Sequence, residues 1–180
     1  MNKLLILLLV FSLTGCQTQN VSKPKACDMD GCTSELSQTI EFPVITMDEA
    51  LSYFTDNKTG ILYFGFTDCP WCQQAAPILK EAANQTNQSI TYVKVRDEDK
   101  NRLYTEEQRE RIAQYISPYM EENEKGILTL YVPLVIVVKD GKAIDGHLGT
   151  LDAHDAKKTT LSDLQAEKLK QVYLNLLKQV

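Results

Sequence analysis

The chain has 180 residues, 43% of them hydrophobic, with 24 Asp and Glu against 19 Lys and Arg and five cysteines. That length suits one ordinary globular core and leaves little room for a second. A net charge of −5, with no run of Lys and Arg longer than a pair, provides no face for gripping a phosphate backbone and excludes nucleic acid as a partner. An odd number of cysteines means that pairing leaves at least one thiol to explain.

The first residues read as an export signal. Met1, Asn2 and Lys3 form a short positive start, and Leu4 to Leu13 is an apolar run broken only by Ser12. A membrane span needs about 20 apolar residues, and here the apolar character stops at Gly15. Leu13-Thr14-Gly15-Cys16 resembles the lipobox of bacterial lipoproteins. The resemblance implies cleavage of residues 1–15 as a signal peptide and acylation of Cys16, palmitate included, as a lipid anchor on the extracytoplasmic face of the cell membrane. Two or more acyl chains are what make such an anchor stable. Residues 16–38 are rich in Ser, Thr, Asn, Lys and Asp. They cannot bury enough apolar surface to offset their ordering entropy, so they read as a tether.

The folded domain is expected over residues 39–180. Ile40 to Ile45 is a short β-prone segment, and Thr46 with Glu49 three residues on is a capping box opening a helix. Ile61 to Phe66 is a dense apolar and aromatic run, read as a buried strand. A helix is expected from Pro70 to Ala83, then a strand from Ser89 to Val95. Thr105 to Gln108 is a second capping box, before Ile112, Tyr115, Ile116 and Tyr119 at helical spacing. The polar side of that helix, with Glu106, Glu107, Arg109, Glu110 and Arg111, reads as a solvated face. Pro133 to Val138 is a central strand, Asp140-Gly141 a hairpin turn and Lys142 to Leu148 its partner. A last helix runs within Leu161 to Val180. The order β-α-β-α-β-α-β-β-α predicts an α/β fold, a mixed central sheet with helices on both faces.

Cys69-Pro70-Trp71-Cys72 falls between a strand and the start of a helix, and that position carries chemistry. The thiolate is the nucleophilic form of cysteine, and a helix N-terminus offers free N–H groups and about half a positive charge to stabilise it. Cys72 is one helical turn on, within reach of Cys69, so Cys69 can attack a disulfide and Cys72 can resolve the mixed disulfide. Pro70 suits the first helical position, where its missing N–H would have been unpaired. A structural disulfide or a metal site are the alternatives. His147 and His154 stand isolated in the sequence, with no second CxxC to complete a metal set.

Phe64 to Leu79, with Cys69-Pro70-Trp71-Cys72 and Pro77 eight residues after the first cysteine, resembles the active-site segment of the thioredoxin superfamily. Val132-Pro133-Leu134, the apolar strand after it and Lys139-Asp140-Gly141-Lys142 are similar to that family's cis-proline loop, strand and hairpin, with Gly149 at its later glycine. The resemblance implies a thioredoxin-like fold with an inserted helix before the cis-Pro strand, a cis Val132–Pro133 bond beside the cysteines, and Val132 offering its backbone to a bound peptide. It also implies a protein-disulfide oxidoreductase with Cys69 and Cys72 catalytic, Pro70, Trp71 and Pro133 in support, and no cofactor. Two positions depart from the pattern. Tyr63 stands where thioredoxin has a buried acid, so the proton acceptor of the resolving cysteine is absent or comes from elsewhere, and Asp68 precedes the motif where a Trp is usual. The lipoprotein signal, the motif and the extra length before Val132 together resemble the bacteriocin-transport accessory proteins of Gram-positive bacteria.

Cys27 and Cys32, in Cys27-Asp28-Met29-Asp30-Gly31-Cys32, admit three readings: a structural second disulfide, a redox pair exchanging with Cys69 and Cys72, or metal binding with Asp28 and Asp30. The leading functional expectation is a membrane-anchored thiol–disulfide oxidoreductase, a monomer acting on exported thiol- or disulfide-containing proteins or peptides with a membrane redox partner. The rival is a copper-binding or partner-binding lipoprotein whose CxxC ligates metal or staples the domain.

Overall fold

The computed structural model describes residues 42–180. The signal segment, Cys16, the tether and the Cys27/Cys32 pair lie outside the described residues. Seven strands and four α-helices follow in the order β1 (Val44–Ile45), α1 (Met47–Thr55), β2 (Gly60–Gly65), α2 (Pro70–Thr86), β3 (Ile90–Lys94), α3 (Glu106–Ile116), β4 (Glu121–Glu122), β5 (Leu128–Thr129), β6 (Leu134–Lys139), β7 (Lys142–Leu148) and α4 (Asp163–Leu177). The main sheet has strand order β1-β3-β2-β6-β7. β2 pairs parallel with β3, and β6 antiparallel with β2 and β7. Among the described residues no helix is long and apolar enough to cross a membrane.

The continuous apolar runs of β2 and β6 follow from burial on both sheet faces. Successive side chains of a strand point to opposite faces. Ile61, Tyr63, Val135 and Val137 therefore join Tyr92 and the apolar sides of α2 and α4 in one cluster. Leu62, Phe64, Leu134, Ile136 and Val138 join α1 and α3 in the other. The sheet is thus a partition between two half-cores, and β2, in its middle, delivers the chain to the Cys69 loop. This strand order, with the motif after β2 and a cis Val132–Pro133 bond before β6, is the expected thioredoxin-like fold.

Local signals set the helix starts. Thr46, Thr105 and Ser162 each cap a helix through a complete capping box. At α2 the N-cap is Cys69, whose sulfur takes the place of the hydroxyl. The β6–β7 hairpin turns on Asp140 and Gly141, both left-handed at φ 48° and 73°, as a two-residue turn of this hand requires. A Cβ on Gly141 would lie 2.8 Å from the Phe54 carbonyl oxygen.

Between α3 and the cis-proline strand the structure adds a 3₁₀ turn over Ser117–Tyr119 and the short β4–β5 hairpin, neither foreseen from the sequence. It also corrects the reading of α3 as solvated along its charged side. Arg109 is buried, and its Nη1 donates to the Leu128 carbonyl at 2.6 Å while Nε pairs with Glu106 at 2.7 Å. A guanidinium can satisfy both partners at once because its donors form a rigid fork.

Candidate active site

The two motif cysteines occupy unlike positions. Cys69, at the N-cap of α2, is buried and turned toward the cis-proline loop, its Sγ donating to the Val132 carbonyl at 3.8 Å. The same sulfur accepts the Cys72 backbone N–H at 3.2 Å. Cys72 is in the first turn of α2, 1% exposed, and both thiols are free. The Cys69 thiol is held below its ordinary value, first by a hydrogen bond from the Cys72 thiol and then by the N–H groups of Cys72 and Trp71, against the opposing effect of burial. Cys72 is pushed far up, chiefly by burial and then by the neighbouring Cys69; the Phe66 backbone N–H and the Tyr63 hydroxyl oppose the shift. Cys69 is thus the more readily ionised of the two thiols, and Cys72 the one that holds its proton. Asp68, which stands just before the motif, is exposed.

Pro70 opens α2 at its first position. Trp71 donates its indole N–H to the His154 carbonyl at 3.3 Å, and the Lys157 ammonium lies 5.8 Å from its ring centre. Trp71, Tyr131, Val132 and Gly149 line an open groove of about 420 Å³ beside the motif. The two histidines meet at Thr150. His147 Nε2 meets the Thr150 carbonyl at 2.7 Å and His154 Nδ1 meets the Thr150 hydroxyl at 2.9 Å, both on the same groove. Thr150, buried and central to that contact, carried no sequence signal. Gly149 has φ +78° and open space where a Cβ would stand, so conformation and not crowding accounts for it.

Three of the predicted site residues, Cys69, Cys72 and Val132, are brought together by these contacts, with Pro133 adjoining Val132 in the chain. Among the described residues no cluster of His, Cys, Asp and Glu could hold a metal ion. Around Cys72 lie three tyrosines, of which the sequence singled out only Tyr63, in the place of the buried acid. The hydroxyls of Tyr63, Tyr92 and Tyr173 are buried with no hydrogen-bond partner, and all three phenols are weaker acids than usual, their pKa values raised by burial first and by the nearness of the Cys72 sulfur second. No Asp or Glu is buried among the described residues. Glu81 is exposed and pairs with Lys170, and Asp97 closes a turn onto Asn101, so neither replaces the buried acid.

Neither a family model nor a curated protein matches this chain. Among solved structures it is similar to thioredoxins. That of Fasciola hepatica is 19% identical with TM-score 0.43, covering 75% of this chain and 99% of that one. That of Plasmodium falciparum is 17% identical with TM-score 0.40, covering 74% and 97%. Mitochondrial thioredoxin 3 of Saccharomyces cerevisiae is 13% identical with TM-score 0.43, covering 77% and 95%. At such values the likeness says nothing about activity. The fold stands on the strand order and the placement of the two loops described above.

Proposed function

We propose that this chain is a thiol–disulfide oxidoreductase, anchored by a lipid on Cys16 at the extracytoplasmic face of the cell membrane and acting on exported proteins or peptides, bacteriocins among them. The observation that carries the activity is the asymmetry of the pair: Cys69 accepts N–H groups at a helix start and faces the Val132 carbonyl, while Cys72 lies buried behind it with its proton. The Cys69 thiolate attacks one sulfur of a substrate disulfide, forming a mixed disulfide and releasing one substrate thiolate. Cys72 then attacks the Cys69 sulfur, giving the Cys69–Cys72 disulfide and releasing the second substrate thiolate. The two protons of the dithiol end on the two substrate thiols, and two electrons pass to the substrate. Run backwards, the same steps hand a disulfide to an exported dithiol. The Trp71 and Val132 groove beside the sulfurs offers an extended peptide a backbone partner, and a membrane redox partner resets the pair.

The test uses the full chain with Cys16, Cys27 and Cys32 replaced by Ser, so that only the motif thiols report. A measurable dithiol–disulfide potential is expected, together with mixed disulfides that accumulate in Cys72→Ser and are absent in Cys69→Ser. Failure of Cys72→Ser to trap a mixed disulfide through Cys69, or a pair that no physiological poise reduces, would sink the reading. Mass determination of the N-terminus of the membrane-extracted native chain tests the lipid on Cys16 separately.

A further inference from the structure

The resolving thiol Cys72 has no buried carboxylate near it, yet it is the group that must give up a proton for the exchange to finish. What borders it instead is a phenol. If a Cβ were placed on Gly65, at the end of β2, it would lie 3.0 Å from the Tyr63 hydroxyl and 3.3 Å from the Cys72 sulfur. The two atoms therefore edge the same small space, and that space exists because residue 65 has no side chain. In the dithiol the Tyr63 hydroxyl makes no hydrogen bond of ordinary geometry, although it lies near enough to ease negative charge on the Cys72 sulfur. The ring is held in place, stacked on Tyr92 with centroids 5.4 Å apart and edge-on to Phe42 at 6.0 Å. A buried hydroxyl left unpaired costs stability, and of the three unpaired hydroxyls that of Tyr63 is the one sharing the space beside Gly65 with the Cys72 sulfur.

Resting on the oxidoreductase reading above, we propose that Tyr63 is a positioning residue for resolution, its hydroxyl donating a hydrogen bond to the Cys72 sulfur as that sulfur becomes a thiolate and attacks the mixed disulfide. The phenol gives up no proton. The Cys72 proton passes to the substrate thiolate released in the first step, or to water where that thiolate is an aryl thiolate too weakly basic to hold it, and the hydroxyl stabilises the transient charge left on Cys72. This differs in kind from a carboxylate base, which takes the proton and adds a charge of its own. The ionisable groups around Cys72 are Cys69 from the start of α2, Tyr63 from β2, Tyr92 from β3 and Tyr173 from α4, with His147 of β7 edge-on to Tyr173 at 5.8 Å. Every one of these except Cys69 and His147 is a phenol raised in pKa, and so a neutral donor.

The test reads the two steps apart. A symmetrical chromogenic aryl disulfide, offered to the full chain carrying the Cys16, Cys27 and Cys32 to Ser changes, releases one coloured thiolate when Cys69 attacks and a second when Cys72 resolves. In Tyr63→Phe the first release is expected within about 2-fold of wild type, and the second slowed roughly 10- to 100-fold, the loss typical of one hydrogen bond to a charged group. The variant is also expected to be at least as stable to urea as wild type, because it removes an unpaired buried hydroxyl. Tyr92→Phe and Tyr173→Phe, which delete the same group elsewhere in the cluster, are expected to leave the second release within about 2-fold. A normal second release in Tyr63→Phe, equal slowing of both releases, or equal slowing in all three variants would overturn the role. Should Tyr63→Phe not fold, Gly65→Ala, which fills the shared space, is read in the same way. If wild type itself gives no second release, it is the oxidoreductase reading that fails and not the assignment of Tyr63.

Discussion

Arg109 offers the sharpest check on how the cis-proline loop is held. Its side chain is 11% exposed, against 56% for Glu106 and 66% for Glu110, and its shortest bond, 2.6 Å, goes to the Leu128 carbonyl and not to a carboxylate. Exposed ion pairs contribute little because water competes for both charges, so the carbonyl bond should dominate. A hydrogen bond from a charged group contributes about 1.5–3 kcal/mol, and its loss leaves a half-covered carbonyl without a partner. With the aliphatic stem's packing included, Arg109→Ala should cost about 2–4 kcal/mol. In urea, where a small protein loses about 1–3 kcal/mol per molar, that is a midpoint lower by about 1–2 M at unchanged slope. Glu106→Gln should keep a midpoint near wild type, and Arg109→Lys, which cannot fork, should fall between. Leu128 starts the stretch that ends at Val132, so Arg109→Ala should also slow exchange with a peptide disulfide more than with a small aryl disulfide. Equal losses in Arg109→Ala and Glu106→Gln would refute the reasoning, since the ion pair and not the carbonyl bond would then be the fastening.

Three further outcomes are expected. The stability of the reduced chain, measured by urea midpoints and corrected by subtracting the Cys69→Ser/Cys72→Ser double variant, should rise with pH from the lowered Cys69 value up to the ordinary thiol value of about 8.5, because there the unfolded chain binds the extra proton. Above it the slope should reverse, because Cys72 keeps its proton only when folded; a flat difference curve would contradict both shifts. Gly65→Ala should cost about 1–3 kcal/mol through overpacking against the Tyr63 hydroxyl and Cys72 sulfur, and a variant as stable as wild type by thermal melting would show that the gap is slack. Ser162→Ala removes the hydroxyl half of the α4 capping box, which accepts the Gln165 N–H and donates to its side-chain oxygen, and should lose about 1 kcal/mol with exchange rates unaltered; a matching loss of exchange would tie α4 to the site beyond its start.

Much of the frame was legible because it depends on short-range chemistry. Thr46 with Glu49 and Thr105 with Gln108 announce helix starts within four residues, and Asp140-Gly141 announces its turn, because each motif closes hydrogen bonds onto its own neighbours. Cys69 and Cys72 were legible for the same reason: a strand end, a helix start and a spacing of one turn are all local. The continuous apolar run from Ile61 to Phe66 told of a buried strand, but could not say which helices would cover each face.

Adjacent residues were enough for the motif pair and for the order of the main-sheet strands and the four α-helices. Only the tertiary structure decided the roles of residues far apart in the chain. It buried Arg109 under the Leu128 carbonyl and set three unpaired phenols around Cys72 in place of an acid. Tyr63, Tyr92 and Tyr173 sit at ordinary apolar positions of two strands and a helix. Nothing in their local pattern separates a core ring from a hydrogen-bond donor to a sulfur, because that difference lies in where the hydroxyl ends up once the two faces of the sheet have closed.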